Sequence, residues 1–345
     1  MENISSLHTL LHTSRKVCII SHTNPDGDAI GSITAMASYI SRRCGADAVP
    51  MVPDRYPANL SFIARGSGII VASEHPQKAE DDIRTADLII VQDLNDLRRT
   101  EQLRPLIEAS PAPKVMIDHH LHPETGHFKL VFSDPERSST CELLYFILKD
   151  LEGGVIKRIP AAARLRMMTG MTTDTNNFAN STGPDTLKMA EELLASGVDR
   201  DYILDHIYHS DRPERLAAMA DMLSTHLTMP EKGISCMVMT AGMYKKYRLK
   251  DGETDSLVNF PLHIAKVKLS IFAREENGVF RVSIRSKKGW SANRMATEYF
   301  HGGGHELAAG GKILIPLDID SADDVHAYLK EVAARFLRNR TSLSK

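Results

Sequence analysis

Short runs of β-branched and other apolar residues alternate with longer helix-compatible stretches early in the chain. The runs cover residues 17–21, 88–93 and 114–118. This alternation predicts a mostly parallel β-sheet with helices on both faces, because parallel strands need long crossover connections. In such sheets ligands bind where the loops leave the carboxyl ends of the strands. The N-terminal part is therefore predicted to be an α/β domain with its functional side chains at that edge.

The length of the chain predicts two domains. A single hydrophobic core rarely grows to 345 residues, so a second core is expected. The C-terminal part again favours strands followed by helices, with strands at 234–240, 263–272 and 279–285 and helices from about 293 and 323. We predict a first domain over 1–200, a helical linker over 201–230 and a smaller α/β domain over 231–345. A cleft is expected between the two domains.

Charge and composition narrow the classes of function. The formal net charge is −2 and long basic runs are absent, so bulk charge does not favour the capture of long nucleic acid. The four cysteines are scattered and lack the close spacing of zinc ligands or of a small disulfide scaffold. No apolar stretch reaches membrane-spanning length, and the N-terminus lacks a signal-peptide pattern. We therefore expect a cytoplasmic protein that does not contact membranes.

Carboxylates and imidazoles follow each of the three predicted strands and end one predicted helix. They are, in chain order, His22, Asp26, Asp28, Asp93, His119 and Asp174. Asp26 and Asp28, taken alone, would serve equally well as N-caps of the following helix. Because the carboxyl ends of parallel strands meet at one edge of a sheet, all four segments are expected to converge on one site.

This ligand set predicts a site for two divalent metal ions. Oxygen and imidazole ligands together favour manganese, iron or zinc over magnesium. A set without cysteine suits two ions that lie roughly 3.5–4 Å apart and share one carboxylate, for which Asp93 is the first choice. Such a pair of ions lowers the pKa of a shared water and neutralises the charge that builds up on a phosphorus centre. The sequence therefore predicts phosphoester hydrolysis.

Four segments of the chain resemble the motifs of the DHH phosphoesterase superfamily: residues 22–28, Asp93, residues 118–120 and Asp174. By this resemblance, one metal ion would have the ligands His22, Asp26 and Asp93. The other ion would have the ligands Asp28, Asp93, His119 and Asp174. Manganese is the expected metal, with Mg²⁺, Co²⁺ and Fe²⁺ as alternatives.

The same resemblance implies catalytic roles for three residues. Asp93 would bridge the two ions, and His120 would face the scissile phosphate as a general acid or as a stabiliser of transition-state charge. Asp118 would orient the neighbouring histidines. Arg98 and Arg99 could guide phosphates, but such arginines are more often solvated surface charges.

A second group of residues near the C-terminus predicts nucleotide binding. It consists of Arg285, Ser286, Gly302, Gly303, Gly304 and His305. Consecutive glycines let backbone amides approach a phosphate closely, and the group resembles the DHH-associated C-terminal domain of type 1, which recognises nucleotides. The resemblance implies that Arg285 holds a phosphate and that His305 contacts a terminal phosphate or a base. His301 departs from the family pattern, in which a small residue usually precedes the glycines.

The compact two-domain layout resembles that of the NrnA-type oligoribonucleases. This resemblance implies hydrolysis of short oligoribonucleotides to mononucleotides and of 3',5'-adenosine bisphosphate to AMP. A phosphodiesterase for cyclic di-AMP or its linear product pApA is the alternative, followed by an inorganic pyrophosphatase or a polyphosphatase. The expected partners are short RNA oligonucleotides or small nucleotides, with no membrane, and a homodimer is left open.

Overall fold

The chain folds into two compact units. In a computed structural model, the described part of the chain comprises residues 2–250, 252–254, 256–304 and 306–342. The first unit is Met1–Ser210 and the second is Asp211–Lys345. The predicted linker over 201–230 is not a separate segment, because its first residues end a helix of the first unit and its last residues form a helix and a strand of the second.

The first unit contains a six-stranded sheet. Its strands are β1 (Lys16–Ile20), β2 (Asp47–Val52), β3 (Ile70–Val71), β4 (Leu88–Gln92), β5 (Lys114–Asp118) and β6 (Leu130–Ser133). Its α-helices are α1 (Glu2–Thr13), α2 (Gly27–Tyr39), α3 (Ser61–Ala64), α4 (Pro76–Arg84), α5 (Arg104–Ala109), α6 (Thr140–Leu151), α7 (Ala161–Asp174), α8 (Pro184–Ala195) and α9 (Arg200–Ile207). The strand order is β3-β2-β1-β4-β5-β6, with every neighbouring pair parallel. The predicted α/β fold with a parallel sheet is confirmed.

The sheet of the first unit is buried on both faces, because alternate residues of each strand enter different cores. In β1, Val17 and Ile19 pack into one core, and Cys18 and Ile20 pack into the other. Fully burying an aliphatic side chain of this size contributes about 1.5–3 kcal/mol to folding. A strand buried on both faces must be apolar at every position, which is why a continuous apolar run predicted it correctly.

Helices α2 and α7 pack unusually closely because glycine lies at their contact. A Cβ atom added at Gly31 of α2 would lie 2.8 Å from the backbone oxygen of Arg166 in α7. A Cβ atom added at Gly170 of α7 would lie 2.9 Å from Oδ1 of Asp28 in α2. Neither approach leaves room for a side chain. The close contact brings the first turn of α2 beside the last turn of α7, which ends at Asp174.

We expect Gly31→Ala to lower the free energy of unfolding by about 1–3 kcal/mol, the usual cost of overpacking a filled core. The new methyl group would press against the backbone of α7, which cannot move aside as a flexible side chain can. Urea unfolding followed by circular dichroism measures the effect. Gly126→Ala is the control, because a Cβ atom there would have nothing within 4 Å. Equal midpoints for the two variants would show that the helices can separate at little cost.

The second unit contains a six-stranded mixed sheet. Its strands are β7 (Leu227–Glu231), β8 (Ile234–Met239), β9 (Leu269–Glu276), β10 (Val279–Ser286), β11 (Gly303–Gly304) and β12 (Ala308–Leu314). Its α-helices are α10 (Pro213–Thr225), α11 (Ala241–Lys246), α12 (Ala292–Tyr299) and α13 (Val325–Ser342). The order is β11-β12-β10-β9-β8-β7, in which β8 and β9 are parallel and the other pairs are antiparallel. In the described part of both units, no helix has the length and apolar character needed to span a bilayer.

One predicted strand of the second unit lies in a different position. The sequence favoured a strand over 263–272, whereas β9 is Leu269–Glu276 and Leu257–His263 forms a 3-10 helix. Residues 261–267 turn instead, because the amide of Ile264 donates to the carbonyl of Pro261 at 3.0 Å and the amide of Val267 donates to the carbonyl of Ile264 at 2.9 Å. The strand therefore begins only where five successive buried residues can join the core.

Candidate metal centre

The predicted ligands lie at one edge of the first unit's sheet, where three neighbouring strands end. His22 follows β1, Asp93 follows β4 and His119 follows β5, and these strands are adjacent in the sheet. Asp26 and Asp28 lie at the start of α2, and Asp174 is the last residue of α7. The sequence order of the strands differs from their spatial order, so the sheet joins residues that are far apart along the chain.

Three groups of these side chains could each hold a metal ion in the part of the chain that the structure describes. Within each group, one ligand atom per residue lies within 4.8 Å of the others. The groups are His22 with Asp26 and Asp93, Asp28 with His119 and Asp174, and Asp93 with His119 and His120. All six residues predicted as ligands are therefore brought together, and His120 joins them.

Asp93 lies between the histidines of the site. Its Oδ2 atom is 3.4 Å from Nε2 of His22, and its Oδ1 atom is 3.7 Å from Nε2 of His119. His119 Nε2 is also 3.5 Å from Oδ2 of Asp174. The two oxygens of one carboxylate thus face two different histidines, which is the geometry that a shared ligand of two ions requires.

Hydrogen bonds to backbone carbonyls set the tautomers of both predicted histidine ligands. Nδ1 of His22 donates to the carbonyl of Thr23 at 2.7 Å, and Nδ1 of His119 donates to the carbonyl of Arg137 at 3.2 Å. A carbonyl oxygen can only accept, so in each ring the hydrogen is on Nδ1. In the neutral form of each ring, Nε2 then carries a lone pair and lies on the side of the carboxylates. A histidine binds a metal ion through such a lone pair.

The N-terminus of α6 holds Asp28 in place. The backbone amides of Thr140 and Cys141 donate to its two carboxylate oxygens, at 2.6 Å and 2.9 Å. The Thr140 hydroxyl also donates to Oδ1 of Asp93 at 3.1 Å. These amides lie at the positive end of the helix dipole, which favours anions. Ser139 caps the same helix by accepting from the amide of Glu142.

Asp26 is the N-cap of α2 and also lies among the predicted metal ligands. Its Oδ1 atom accepts hydrogen bonds from the amides of Asp28 and Ala29, both at 3.0 Å, so it is the N-cap of α2. It also belongs to the group formed with His22 and Asp93. The N-cap interpretation that the sequence left open is therefore correct for Asp26, and it does not exclude a ligand role, because the second oxygen is not used in the cap. Asp28 lies inside the helix and is not a cap.

Crowding of buried carboxylates shifts the protonation equilibria of the site. Burial and the negative charge of Asp93 raise the pKa of Asp28 to about 7. They outweigh His119 and the hydrogen bond from Cys141, which lower this pKa. Burial and the charge of Asp28 raise the pKa of Asp174 well above its usual range. Burial opposes charge on His119, but Asp93, Asp28 and Asp174 raise its pKa to about 9. Such a site takes up positive charge, as protons or as metal ions.

We expect manganese binding to release protons and to weaken as the pH falls from about 8 to about 6. In the metal-free chain Asp28, with a pKa of about 7, and His119, with a pKa of about 9, hold protons over part of this range. Ligand atoms must lose these protons before they bind a cation, so a lower pH adds a competitor. Calorimetric titration with MnCl₂ in two buffers of different ionisation enthalpy measures the release. Affinity and enthalpy that are independent of pH and buffer would contradict this expectation.

Asp118 and His120 form a hydrogen-bonded pair beside the ligands. Nδ1 of His120 donates to Oδ1 of Asp118 at 2.7 Å, and the carboxylate is fully buried at the end of β5. Nδ1 of His120 is 3.8 Å from Oδ1 of Asp93. Asp118 was predicted to orient the neighbouring histidines; its carboxylate accepts from His120, whereas Nδ1 of His119 donates to the carbonyl of Arg137.

The structure adds Arg99 to the candidate site, whereas the sequence had favoured a solvent-exposed position for it. Nη1 of Arg99 lies 3.2 Å from Nε2 of His120, and Arg99 is half-buried. Its neighbour Arg98 is exposed and paired with Asp96, as a surface arginine would be. Nothing in the spacing of two adjacent arginines distinguishes them. The distinction arises from the turn of the 3-10 helix Leu97–Leu103, which directs the two side chains differently.

The predicted substrate-binding residues of the second unit lie around two adjacent turns. Arg285 and Ser286 end β10, and Gly303 and Gly304 form β11. Ser286 is buried, and its hydroxyl lies 2.5 Å from the carbonyl of Trp290 and 3.3 Å from that of Glu306. Ser286 therefore ties the two turns together. His305 lies outside the described residues.

The glycine segment has little room for side chains. A Cβ atom at Gly302 would overlap the backbone of Gly310, and a Cβ atom at Gly304 would lie 2.7 Å from the oxygen of Ala308. Gly304 also has a φ of 143°, which L side chains rarely adopt. His301 precedes the glycines with a φ of 48°, and its Nε2 atom is 2.9 Å from Oδ1 of Asp318. Gly302 and Gly304 are thus required by the close approach of this segment to β12, whereas a Cβ atom at Gly303 would have nothing within 4 Å.

Comparison with known proteins agrees with the motifs. Residues 16–171 match the DHH family, N-terminal domain, and residues 233–334 match the DHHA1 domain. A bifunctional oligoribonuclease and PAP phosphatase NrnA of Thermus thermophilus is 29% identical over 309 residues, which cover 89% of this chain and 86% of that protein. The cyclic-di-AMP phosphodiesterase PdeA of Listeria monocytogenes is 29% identical over 204 residues, which cover 56% of this chain and 30% of that protein.

A solved structure gives the same result for the fold. The crystal structure of an exopolyphosphatase-related protein from Bacteroides fragilis matches with a TM-score of 0.91 and 29% identity, covering 100% of this chain and 98% of that one. The chain has a DHH domain followed by a DHHA1 domain. It is thus a hydrolase that acts on phosphoester bonds, and the resemblance inferred from its motifs is confirmed.

Proposed function

We propose that this chain is a manganese-dependent phosphoesterase of the cytoplasm that hydrolyses short oligoribonucleotides to mononucleotides and 3',5'-adenosine bisphosphate to AMP. The observation that carries the proposal is the position of Asp93 between His22 and His119, with carboxylates on either side. The naming of the Thermus thermophilus relative as an oligoribonuclease and PAP phosphatase, over most of both chains, supports the choice of substrates.

The donor set fits two divalent ions. One would be held by His22, Asp26 and Asp93, and the other by Asp28, Asp93, His119 and Asp174. When bound, the ions would supply Lewis acidity, which lowers the pKa of a water and neutralises charge on the phosphate oxygens. The fit is supported by two pKa values. Burial and the charge of Asp93 raise the pKa of Asp28 to about 7. Burial opposes charge on His119, but the charges of Asp93, Asp28 and Asp174 overcome it and raise the pKa of His119 to about 9.

Manganese is favoured by the chemistry of the donors. Imidazole nitrogen together with carboxylate oxygen suits Mn²⁺ better than Mg²⁺, which prefers oxygen ligands alone. The thiol of Cys141 donates to the backbone carbonyl of Asp28, and burial raises its pKa well above the usual range, which disfavours a thiolate at this position. Co²⁺ and Fe²⁺ have similar ligand preferences and are the alternatives.

The chain's own residues would handle the proton of the leaving group. His120 donates from Nδ1 to Oδ1 of Asp118, so the opposite ring atom, Nε2, which Nη1 of Arg99 approaches to 3.2 Å, would face the reacting phosphate. Nε2 carries no proton in the neutral ring, so it would first take up a proton from a water and then pass it to the oxygen that leaves phosphorus, which would become a hydroxyl group. Asp118 would stabilise the imidazolium formed before that transfer, because it is buried and directly hydrogen-bonded to the ring.

A phosphodiesterase for cyclic di-AMP or pApA is the second candidate. It is favoured by the likeness to the cyclic-di-AMP phosphodiesterase of Listeria monocytogenes. That likeness covers only 30% of the longer relative, whereas the likeness to the oligoribonuclease covers 86% of the relative. The oligoribonuclease and PAP phosphatase activities therefore rank first.

Parallel turnover assays would test the proposed substrates. The purified chain with MnCl₂ would be mixed separately with a five-nucleotide RNA, 3',5'-adenosine bisphosphate, pApA, cyclic di-AMP and pyrophosphate. Mononucleotides from the RNA and AMP from the bisphosphate are the expected products. Faster turnover of cyclic di-AMP or of pyrophosphate would overturn the substrate assignment. Repeating the assay with MgCl₂, CoCl₂ and FeCl₂ ranks the metals, and the highest rate is expected with manganese.

We expect Asp93→Asn to lower kcat by about a hundredfold or more while the chain remains folded. The amide keeps the shape of the side chain but removes the negative charge that faces both histidines. Assays with the preferred substrate, together with urea unfolding, separate catalysis from stability. Asp81→Asn is the control, because Asp81 is exposed and its carboxylate pairs with Arg84 in α4. Wild-type rates for Asp93→Asn would remove this residue from the centre.

A further inference from the structure

The backbone of Arg99 is held firmly beside the metal centre. The amide of Thr23, which follows the ligand His22, donates to the carbonyl of Arg99 at 2.8 Å. The Thr23 hydroxyl in turn donates to Oδ2 of Asp54 at 2.9 Å, and the amide of Asn24 donates to Oδ1 of the same carboxylate at 2.8 Å. The loop after β1 and the 3-10 helix after β4 are thus joined directly next to the candidate ligands.

The guanidinium group of Arg99 contacts the Asp118–His120 pair. Its Nη1 atom is 3.2 Å from Nε2 of His120. Guanidinium can only donate, so Nε2 must accept, and the ring hydrogen lies on Nδ1, which donates to Asp118 at 2.7 Å. The three groups form one chain, in which a buried carboxylate and a half-buried arginine approach the two nitrogens of a single imidazole.

Arg99 has no acidic partner among the residues that the structure describes. The other arginines near this site do: Arg98 is paired with Asp96, and Arg137 is paired with Asp134 and Glu142. A half-buried guanidinium without an acidic partner can pair with an anionic ligand, and it lies beside a cluster whose side chains could hold metal ions. With ions bound in that cluster, the two positive centres would be favourable together only with an anion between them.

We propose that Arg99 is a catalytic residue that binds the reacting phosphate group of the substrate. A guanidinium fork matches two oxygens of a phosphate, and the position of Arg99 at His120 brings it to the group on which the reaction occurs. Arg99 would stabilise the negative charge that builds up during attack on phosphorus. The inference rests on the proposed function in one respect, namely that the reacting group is a phosphate.

The rival explanation is that Arg99 only orients His120. The two explanations differ in what the side chain must supply. Orientation needs a hydrogen-bond donor at Nε2 of His120, which the amide of glutamine also provides. Phosphate binding needs the positive charge, which glutamine lacks and lysine keeps.

The experiment compares Arg99→Gln, Arg99→Lys and Arg99→Ala in the full chain loaded with MnCl₂. We expect Arg99→Gln and Arg99→Ala to lose kcat/KM by a similar factor, about a hundredfold or more, and Arg99→Lys to keep part of the activity. Arg98→Gln is the matched control, because Arg98 is exposed and paired with Asp96, and it should retain wild-type rates. Wild-type kcat/KM for Arg99→Gln would overturn the proposal and leave Arg99 as a positioning residue.

Binding of inorganic phosphate to the manganese-loaded chain gives a second readout that does not depend on the substrate. Isothermal titration should give weaker phosphate binding for Arg99→Gln than for Arg98→Gln, while the affinity for MnCl₂ and the urea midpoint stay unchanged. Equal phosphate affinities would overturn the proposal. Loss of phosphate affinity in a chain whose wild type cleaves none of the tested nucleotides would support the role of Arg99 and refute the proposed substrates.

Discussion

The repulsion among buried carboxylates is the constraint on which the rest of the site depends. Asp28 and Asp93 are almost fully buried, and Asp174 lies against them at the end of α7. In water such groups would ionise freely, but in the protein they can be charged together only if positive groups compensate them. Two backbone amides of α6 and three histidines supply part of this compensation, and bound metal ions would supply more. The site is therefore defined by the positive groups that balance its buried carboxylates.

The fold produces this crowding by the close packing of two helices beside the ligands. Gly31 and Gly170 allow α2 and α7 to approach until the first turn of one helix meets the last turn of the other. The ends of β1, β4 and β5 lie beside these helix turns and carry His22, Asp93 and His119. A change that separates the two helices would move Asp28 away from Asp174, and it would weaken the site without touching any ligand.

Much of the fold and of the ligand set could be predicted from sequence because both follow from local rules. A strand buried on both faces is a continuous apolar run, and the residue after such a strand lies at the functional edge, which identified Asp93 and His119. Arg99 could not be ranked above Arg98, because their difference depends on the path of a short 3-10 helix and on a contact with His120. Contacts through backbone groups, such as those of Thr140 to Asp28, leave no signature in residue type.

The backbone amides of Thr140 and Cys141 orient the Asp28 carboxylate, which would affect how this site binds metal ions. Both oxygens of this carboxylate are already oriented before any ion arrives, and the rings of His22 and His119 are held in the same way by carbonyls. Little rotational freedom is left for an incoming ion to remove, so loading costs little side-chain entropy. Metal exchange at such a site would be governed by the departure of protons rather than by rearrangement of the surrounding structure. A site of this kind would lose and regain ions while the backbone around it stays the same.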